Sequence, residues 1–559
     1  MAAARCMTPL LSTTHAVNEE EGPVKNAVSC SRWVSTLVAA VCALGASALA
    51  GIGSAVAADG VARAGRVRVL QVGTYHGRPG QFTSIQAAVD AARAGDWILV
   101  APGDYHEQAA PDAGVLITTG GLHLRGMDRN RVIVDGTLPG SAPCSADAGA
   151  QLLGPGDGGR NGIEVLKADA VSIENLTVCN FLDGAGGGGN EIWWNGGDGS
   201  GVIGMGGYHG AYLTASSTYY SDTHAAQYGI FVSNARGPGL IARSYAGNMG
   251  DSSFYVGACA DCNAVIRQVH AQNSALGYSG TNAGGHLVIE DSEWDMNRVG
   301  IVPSSLANDD PPSPQDGACP SDPSRSCTLI QRNFVHDNNN PNTPGSGLAA
   351  AVPVGTGIEI TGGRNDTVRF NRVVNNGAWG ILINDYPDAS LPAVAAWCQG
   401  GVPFFNPPSP FDQFLGPVIP CYFYAFGNRI EHNVFGGNGF YGNDTNGDLA
   451  YAALSYTSNS CFRHNRDRAA GSPTTAPANL EDPAVAGTCG AAWTADPLAE
   501  TALFLQVLCD AYGPASGACS GPNPYPTQTT VTLLPIPQER GMRDPCAGVP
   551  ANSWCGGRD

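Results

Sequence analysis

Apolar residues along this chain come in runs too short for helices. Val171-Ser172-Ile173, Val265-Ile266, Leu287-Val288-Ile289 and Thr367-Val368-Arg369-Phe370 are separated by Gly, Asn and Asp, whereas an amphipathic helix needs about ten or more residues of 3.6 periodicity. They read as short strands. A second set of strands opens on a small residue: Gly229-Ile230-Phe231-Val232, Ser253-Phe254-Tyr255-Val256, Gly277-Tyr278, Gly300-Ile301-Val302, Gly357-Ile358-Glu359-Ile360 and Gly380-Ile381-Leu382-Ile383. Between the two sets an asparagine recurs five residues after another polar or basic residue, in the pairs Asn175/Asn180, Arg243/Asn248, Gln268/Asn273, Ser292/Asn297, Asn333/Asn338, Asn371/Asn376, Asn433/Asn438 and Ser460/Asn465. Where nothing is inserted the spacing is 24 to 27 residues, as from Asn248 to Asn273 to Asn297 and from Asn438 to Asn465. A period of this size predicts a solenoid. Leucines are too sparse for a leucine-rich repeat, so the prediction is all-β: a parallel β-helix with coils about 4.8 Å apart and the asparagines stacked in one column, where they tolerate the left-handed conformation of a tight turn.

One helix is predicted. Ile85, Ala88, Val89 and Ala92 have helical spacing, Thr83 or Ser84 supplies the N-cap, and Gly95 ends the segment. Trp97-Ile98-Leu99-Val100 follows as a strand. A helix laid over the first coil shields an open strand edge. The run Ile85-Gln86-Ala87-Ala88-Val89-Asp90-Ala91-Ala92, continuing through Gly95-Asp96 to Pro102-Gly103-Asp104-Tyr105-His106-Glu107, resembles the N-terminal cap of the pectin-lyase-like superfamily of right-handed parallel β-helices. The later Gly-Ile and Asn coils resemble the repeats of that superfamily. The resemblance spans roughly residues 80 to 468. It implies the fold and leaves the chemistry open, because the superfamily includes lyases, hydrolases, esterases, epimerases and proteins that are not enzymes.

The expected organisation is a leader over 1–57, an N-terminal segment over 58–79, the β-helix over 80–470 and a Pro- and Cys-rich cap over 471–559. Arg32, the apolar run from Trp33 to Ala50 and the small-x-small Ala55-Val56-Ala57 read as a cleaved export signal with an unusually long acidic extension before it. The expected location is therefore secreted, extracellular or envelope, with no membrane span after cleavage. Of 17 cysteines, three lie in the leader and the rest are an even set, as disulfides in an oxidising compartment require. Cys319 with Cys327, Cys398 with Cys421, and pairs among the last five cysteines are the local candidates, and Cys259-Ala260-Asp261-Cys262 reads as a structural disulfide. A net charge of −19 and only two lysines leave no basic stripe for nucleic acid.

Insertions over 181–227, 303–327, 339–355 and 384–423 flank the glycine-opened strands, so loops are expected to wall one face, the usual place for a solenoid to bind. On that face, alternation turns Glu164, Phe231, Tyr255, Ser279, Val302, Glu359 and Leu382 outward. Aromatic rings beside carboxylates suit sugars, which offer apolar faces and hydroxyl rims. The first insertion adds Trp193, Trp194, His209 and His224. Trp193, Trp194, Phe231 and Tyr255 are the expected glycan contacts, and His209 or His224 with Asp251 or Glu359 the expected catalytic groups. Each aromatic taken singly is also explained by packing of the loop onto the coil.

Two readings stand. One is a carbohydrate-active enzyme on polysaccharide: a hydrolase would use two carboxylates, and a lyase or epimerase acting on a uronate would use a histidine base and a cation against the sugar carboxylate. The other is a non-catalytic β-helix that binds glycans or presents a surface. No cofactor motif is evident. Ca²⁺ remains possible, with Asn308-Asp309-Asp310 and Asp316 as the loop that would hold it.

Overall fold

The computed structural model describes residues 67–198, 202–259, 261–306, 327–345, 349, 352–388, 402–403, 421–452, 459–489, 491, 502–503, 505–509, 519 and 525–556. Residues 1–57, expected as a leader, the Asn308 to Asp316 loop, Cys319 and Cys398 lie outside these residues. The described part is a right-handed parallel β-helix within the unit Gly65–Asp559. Its strands form two long sheets, one of 21 strands and one of 11. Most coils give two short strands to the longer sheet, as in Ala264–Arg267 and His270–Gln272, and one to the shorter sheet, as in Leu276–Thr281. Among the described residues no helix is long and apolar enough to cross a membrane.

The interior is a single apolar column. Ile230, Phe254, Tyr278, Ile301, Ile358 and Ile381 stack along it from the shorter sheet, and Ile241, Ile266, Ile289, Ile330 and Val368 from the longer one. The helix Ile85–Ala91 packs Ile85, Ala88 and Val89 into the same core. Its first turn is held by Ser84 as N-cap and by Glu107, whose carboxylate accepts the backbone N–H groups of Ile85 at 2.6 Å and Gln86 at 3.2 Å. A carboxylate there also opposes the helix dipole.

The asparagines stack, but in more columns than the sequence suggested. In the best-formed column the carbonyl oxygen of Asn371 accepts the backbone N–H of Asn333 at 2.9 Å and its side-chain N–H at 3.0 Å. Asn371 bonds in the same way to Asn433, and Asn433 to Asn465. A second column runs Asn297, Asn338, Asn376, Asn438. A third runs Thr328, Asp366, Asn428, Ser460. Asn465 thus belongs with Asn433, one turn earlier in the coil than its pairing with Ser460 implied. The cause is metrical: Asp366, Asn371 and Asn376 mark three successive turns five residues apart, so a spacing of five does not say which two turns it joins. Asn248 and Asn273 sit one position earlier than Asn297 in their coils, at the turn residue itself with φ of 66° and 56°. Their side-chain N–H groups reach the backbone oxygens of Leu534 and Thr532.

Those last contacts belong to a C-terminal strap. Residues 525–556 run back along the solenoid, bonding in turn to Asn342, Asn273, Asn248, Asn130, Asn175 and finally Gln71 beside the first coil. Trp554 packs near Tyr75 and Trp97, and Cys546–Cys555 closes the end of the strap. The other disulfides among described residues are Cys144–Cys179, Cys259–Cys262, Cys461–Cys489 and Cys509–Cys519. Cys327 and Cys421 are disulfide-bonded too.

The Asn371 side chain joins three coils: besides its bonds to Asn333 and Asn433, it donates to the Ile330 carbonyl at 3.0 Å. Asn371→Ala therefore leaves buried polar groups of two neighbouring coils unpaired, at about 1–3 kcal/mol each. We expect a loss of about 3 kcal/mol or more in urea unfolding. Asn375→Gly, at an exposed turn residue with φ of 58°, is expected to change stability by about 0.5 kcal/mol or less. Equal effects of the two substitutions would show that the column does not hold the coils.

Candidate functional site

The outer face of the shorter sheet carries the aromatic strip. Register places Glu164, Trp193, Phe231, Tyr255, Ser279 and Val302 in one column, with Glu359 and Leu382 following. Trp193 therefore stands between Glu164 and Phe231, because residues 181–227 are not a plain insertion. They contain a complete coil, with strands Asn190–Asn195 and Met205–Ser216. Trp193 stacks on Phe231 at 5.2 Å, Tyr228 stacks on Phe231 at 4.4 Å, and Tyr255 meets both Tyr228 and Phe231 edge-on. Trp194 points the other way. It is fully buried, donating to the Val171 carbonyl at 3.3 Å, and is a core residue rather than a glycan contact.

Two carboxyl groups border the strip. Glu164 accepts from Asn195 at 2.8 Å and Asn161 at 3.2 Å, and Asp251 from Tyr228 at 2.9 Å and Ser252 at 2.5 Å. Burial raises the pKa of both. They start three coils apart, roughly 14 Å along the axis at about 4.8 Å per coil. That exceeds the spacing of a glycosidase pair, which is at most about 9.5 Å. Further along, Ala349 and Val352 of the third insertion pack over Leu276, Val299 and Val302. Glu359 is only 3% exposed, and burial pushes its carboxyl up to about 7.

The histidines lie elsewhere. His224 is in a loop, its Nδ1 2.9 Å from the Asp183 carbonyl. His209 is on the longer sheet, not beside Tyr255. There it lines a cavity of about 450 Å³ together with Trp97, His123, Arg125, Glu174 and Arg543. Register explains the grouping: Trp97, His123, Ser172 and His209 occupy one column across four coils, and Arg125 and Glu174 pair in the adjacent one. The Glu174 carboxylate takes the Arg125 guanidinium on one oxygen. Its other oxygen lies 3.3 Å from Arg543 and 3.6 Å from His209 Nε2. Arg125 also lies over the Trp97 ring at 4.6 Å, and Trp97 stacks on His123 at 4.3 Å. Burial lowers the pKa of His209, helped by Arg543 and Arg125 and opposed by Glu174, and burial likewise lowers that of His123. Both rings are neutral near pH 7, and His123 Nδ1 lies 2.8 Å from the Ser172 hydroxyl.

The cavity holds two guanidinium groups against one carboxylate, a local excess of positive charge in a chain of net −19. A second cavity of about 770 Å³ is lined by Arg129, Tyr212, Arg243, His270 and Arg332. The strap edges both cavities, through Glu539 to Met542 in the larger and Arg543 in the smaller. Reading the sequence missed His123, Arg125, Glu174 and Arg543. Strand register finds the first three, since their runs align with that of His209; nothing local marks Arg543. For metals, Asp104, His106 and Asp135 are a group among the described residues that brings ligand atoms within 4.8 Å of one another.

No family model matches this chain, and neither does the sequence of any curated protein. Among solved structures it is similar to the A-module of the Azotobacter vinelandii mannuronan C-5 epimerase AlgE4, at 14% identity and TM-score 0.40 over 68% of this chain and 90% of that one. A mannuronic acid-specific family 6 polysaccharide lyase from human gut microbiota gives 13%, 0.35, 72% and 83%. The Dettilon tailspike protein gives 13%, 0.39, 68% and 58%. Likenesses of this size carry nothing about activity.

The state of Glu359 makes a measurable difference. Unfolded, its carboxyl ionises near 4.5; folded, it keeps the proton to about 7. The raised value means that stability is fully present below pH 4.5 and is lost progressively as pH rises to about 7. Glu359→Gln removes this loss. Its advantage over the parent in urea unfolding should grow between pH 4.5 and 8, by about 3 kcal/mol. A difference that does not vary with pH would mean that Glu359 is solvated and ionised at neutral pH.

Proposed function

We propose that the protein is exported and that it binds and modifies an acidic polysaccharide by removing the proton next to a uronate carboxylate, with His209 as the base. The observation that carries this reading is a neutral His209 in the same cavity as the half-exposed Arg543, while Arg125 is buried and already bound to Glu174 and the Ala547 carbonyl. Guanidinium groups hold carboxylates in planar, two-bonded pairs. Neutralising the sugar carboxylate makes the adjacent C–H more acidic, and a base close to neutral pH is suited to take the proton. The resulting carbanion either expels the oxygen at the β position, leaving an unsaturated sugar and a new chain end, or regains a proton on its opposite face, giving the epimer. The stacked Trp97 and His123 rings offer a platform for a sugar face. The cavity volume falls in the usual range for small-ligand sites. A hydrolase is the weaker variant, since Glu164 and Asp251 are separated along the strip.

The strip of Trp193, Phe231 and Tyr228 supports a second reading, a non-catalytic glycan binder. It has the aromatic faces and hydrogen-bonding rim of a glycan surface, and the carboxyl groups bordering it, Glu164 and Asp251, belong to coils three apart. Disulfides on several coils fit an oxidising, extracellular compartment.

The test is a panel of acidic and neutral polysaccharides, followed by unsaturated product, reducing ends and incorporation of solvent deuterium at the abstracted position. Turnover is expected on a uronate polymer, with His209→Ala reducing kcat/KM by about 10²-fold or more and the thermal midpoint unchanged. Because its pKa is lowered, His209 should keep activity below the ordinary imidazole value of 6.5. Full activity in His209→Ala would remove the mechanism. Retention on glycan without turnover, abolished by Trp193→Ala, would establish the binding reading.

A further inference from the structure

Away from both faces already described, the outer side of the first coils brings Asp104, His106 and Asp135 together. The strand Gly103–Tyr105 pairs in parallel with Val132–Asp135, Tyr105 opposite Val134. Tyr105 faces the core. Alternation therefore puts Asp104 and His106 on the outer side, with Asp135 one coil on and opposite His106.

The group is held from behind. Asp135 accepts the N–H of Thr137 at 2.8 Å and that of Cys144 at 2.6 Å, and Cys144 is tied by its disulfide to Cys179 on the next coil. His106 Nδ1 lies 2.8 Å from the Thr137 carbonyl. A carbonyl only accepts, so Nδ1 carries the hydrogen, and Nε2 of the neutral ring presents a lone pair. That lone pair faces Asp104 Oδ2 at 3.2 Å, another acceptor. The second oxygen of Asp104 is buried with no hydrogen-bond partner, as is the hydroxyl of the fully buried Thr137. Three electron-pair donors thus converge, with ligand atoms of Asp104, His106 and Asp135 all within 4.8 Å of one another, while His106 and Asp104 keep 11% and 24% of their side-chain surface exposed.

We propose that Asp104, His106 and Asp135 bind a first-row divalent cation, with Zn²⁺ the best fit, joining the first coils of the solenoid. A Zn²⁺ ion bonds nitrogen and oxygen at about 2.0–2.2 Å, so adjacent ligands of its tetrahedron lie roughly 3.3 Å apart. The His106 to Asp104 separation is close to that. An imidazole nitrogen selects against Ca²⁺ and Mg²⁺, which take oxygen ligands. A histidine that gives its other N–H to a backbone carbonyl is oriented as metal-bound histidines are. Water would complete the coordination. The competing explanation is a protonated His106 paired with the two carboxylates, needing no metal.

Full-length protein stripped with chelator and titrated with ZnCl₂ by calorimetry, with CaCl₂ in parallel, separates the two. We expect about one Zn²⁺ per chain, a higher thermal midpoint in its presence, and Ca²⁺ weaker by about 100-fold. His106→Ala and Asp104→Asn should each weaken Zn²⁺ binding by about 10-fold or more. The partly exposed Asp104 makes its isosteric variant the one that folds if the histidine variant does not. Absence of saturable Zn²⁺ binding by the parent overturns the site, as does binding that survives in the folded variants.

Discussion

The constraint on which the structure depends is that a stacked coil buries its turn backbone. Inside such a turn the N–H has no strand partner, and a buried donor left unpaired costs about 1–3 kcal/mol. Asparagine meets the need from the neighbouring coil, because its amide accepts and donates at once. In the column Asn333, Asn371, Asn433, Asn465, each oxygen takes two N–H groups from the preceding coil and each nitrogen reaches a carbonyl of that coil. Every turn is thereby pinned to the next, coil on coil, with no freedom to slip by a residue. A slip would move a whole side-chain column to the opposite face.

Fixed register is what turns scattered residues into continuous surfaces. Trp193, Phe231 and Tyr255 stack only because their strands align, and so do Trp97, His123 and His209. The same register builds a polar column beside the histidines. Arg125 pairs with Glu174; further on Arg369 donates to Gln331, Gln331 to Glu290, and Arg463 pairs with Glu431. Most of these pairs are partly exposed and contribute little to stability. The Arg125–Glu174 pair differs, since both side chains are almost fully buried. Removing one partner would strand the other charge. Glu174 therefore holds Arg125, fixes the strap through Arg543 and faces His209 at the same time, so the cavity is rigid on that side.

Much of the fold was legible because it is local and repeated. The glycine-opened strands, the helix at Ile85 and the outward set Glu164, Phe231, Tyr255 and Glu359 follow from periodicity alone. The frame of the asparagines was not fully legible, since a spacing of five joins either adjacent pair of the three columns. The coil inside 181–227 was hidden for a related reason: Asn190–Asn195 lacks the opening glycine, and Met205–Ser216, like Val171–Cys179 before it, is one long strand where most later coils show two. With that coil restored, His209 moves from a loop beside Tyr255 to the longer sheet, and Trp194 moves into the core.

The cavity around His209 needs both ends of the chain. Trp97 comes from one of its first coils and Arg543 from the strap, which reaches the site only after passing Asn342, Asn273 and Asn248 on its way toward Gln71. Its anchors include asparagine side chains of the stacked coils. The buried Arg125 is already matched by Glu174, and it is Arg543, half-exposed and 3.3 Å from the same carboxylate, that gives the cavity its excess of positive charge. An acidic chain can offer a site for an acidic polymer only by such local concentration, and here the concentration depends on a distant segment folding back along the whole β-helix.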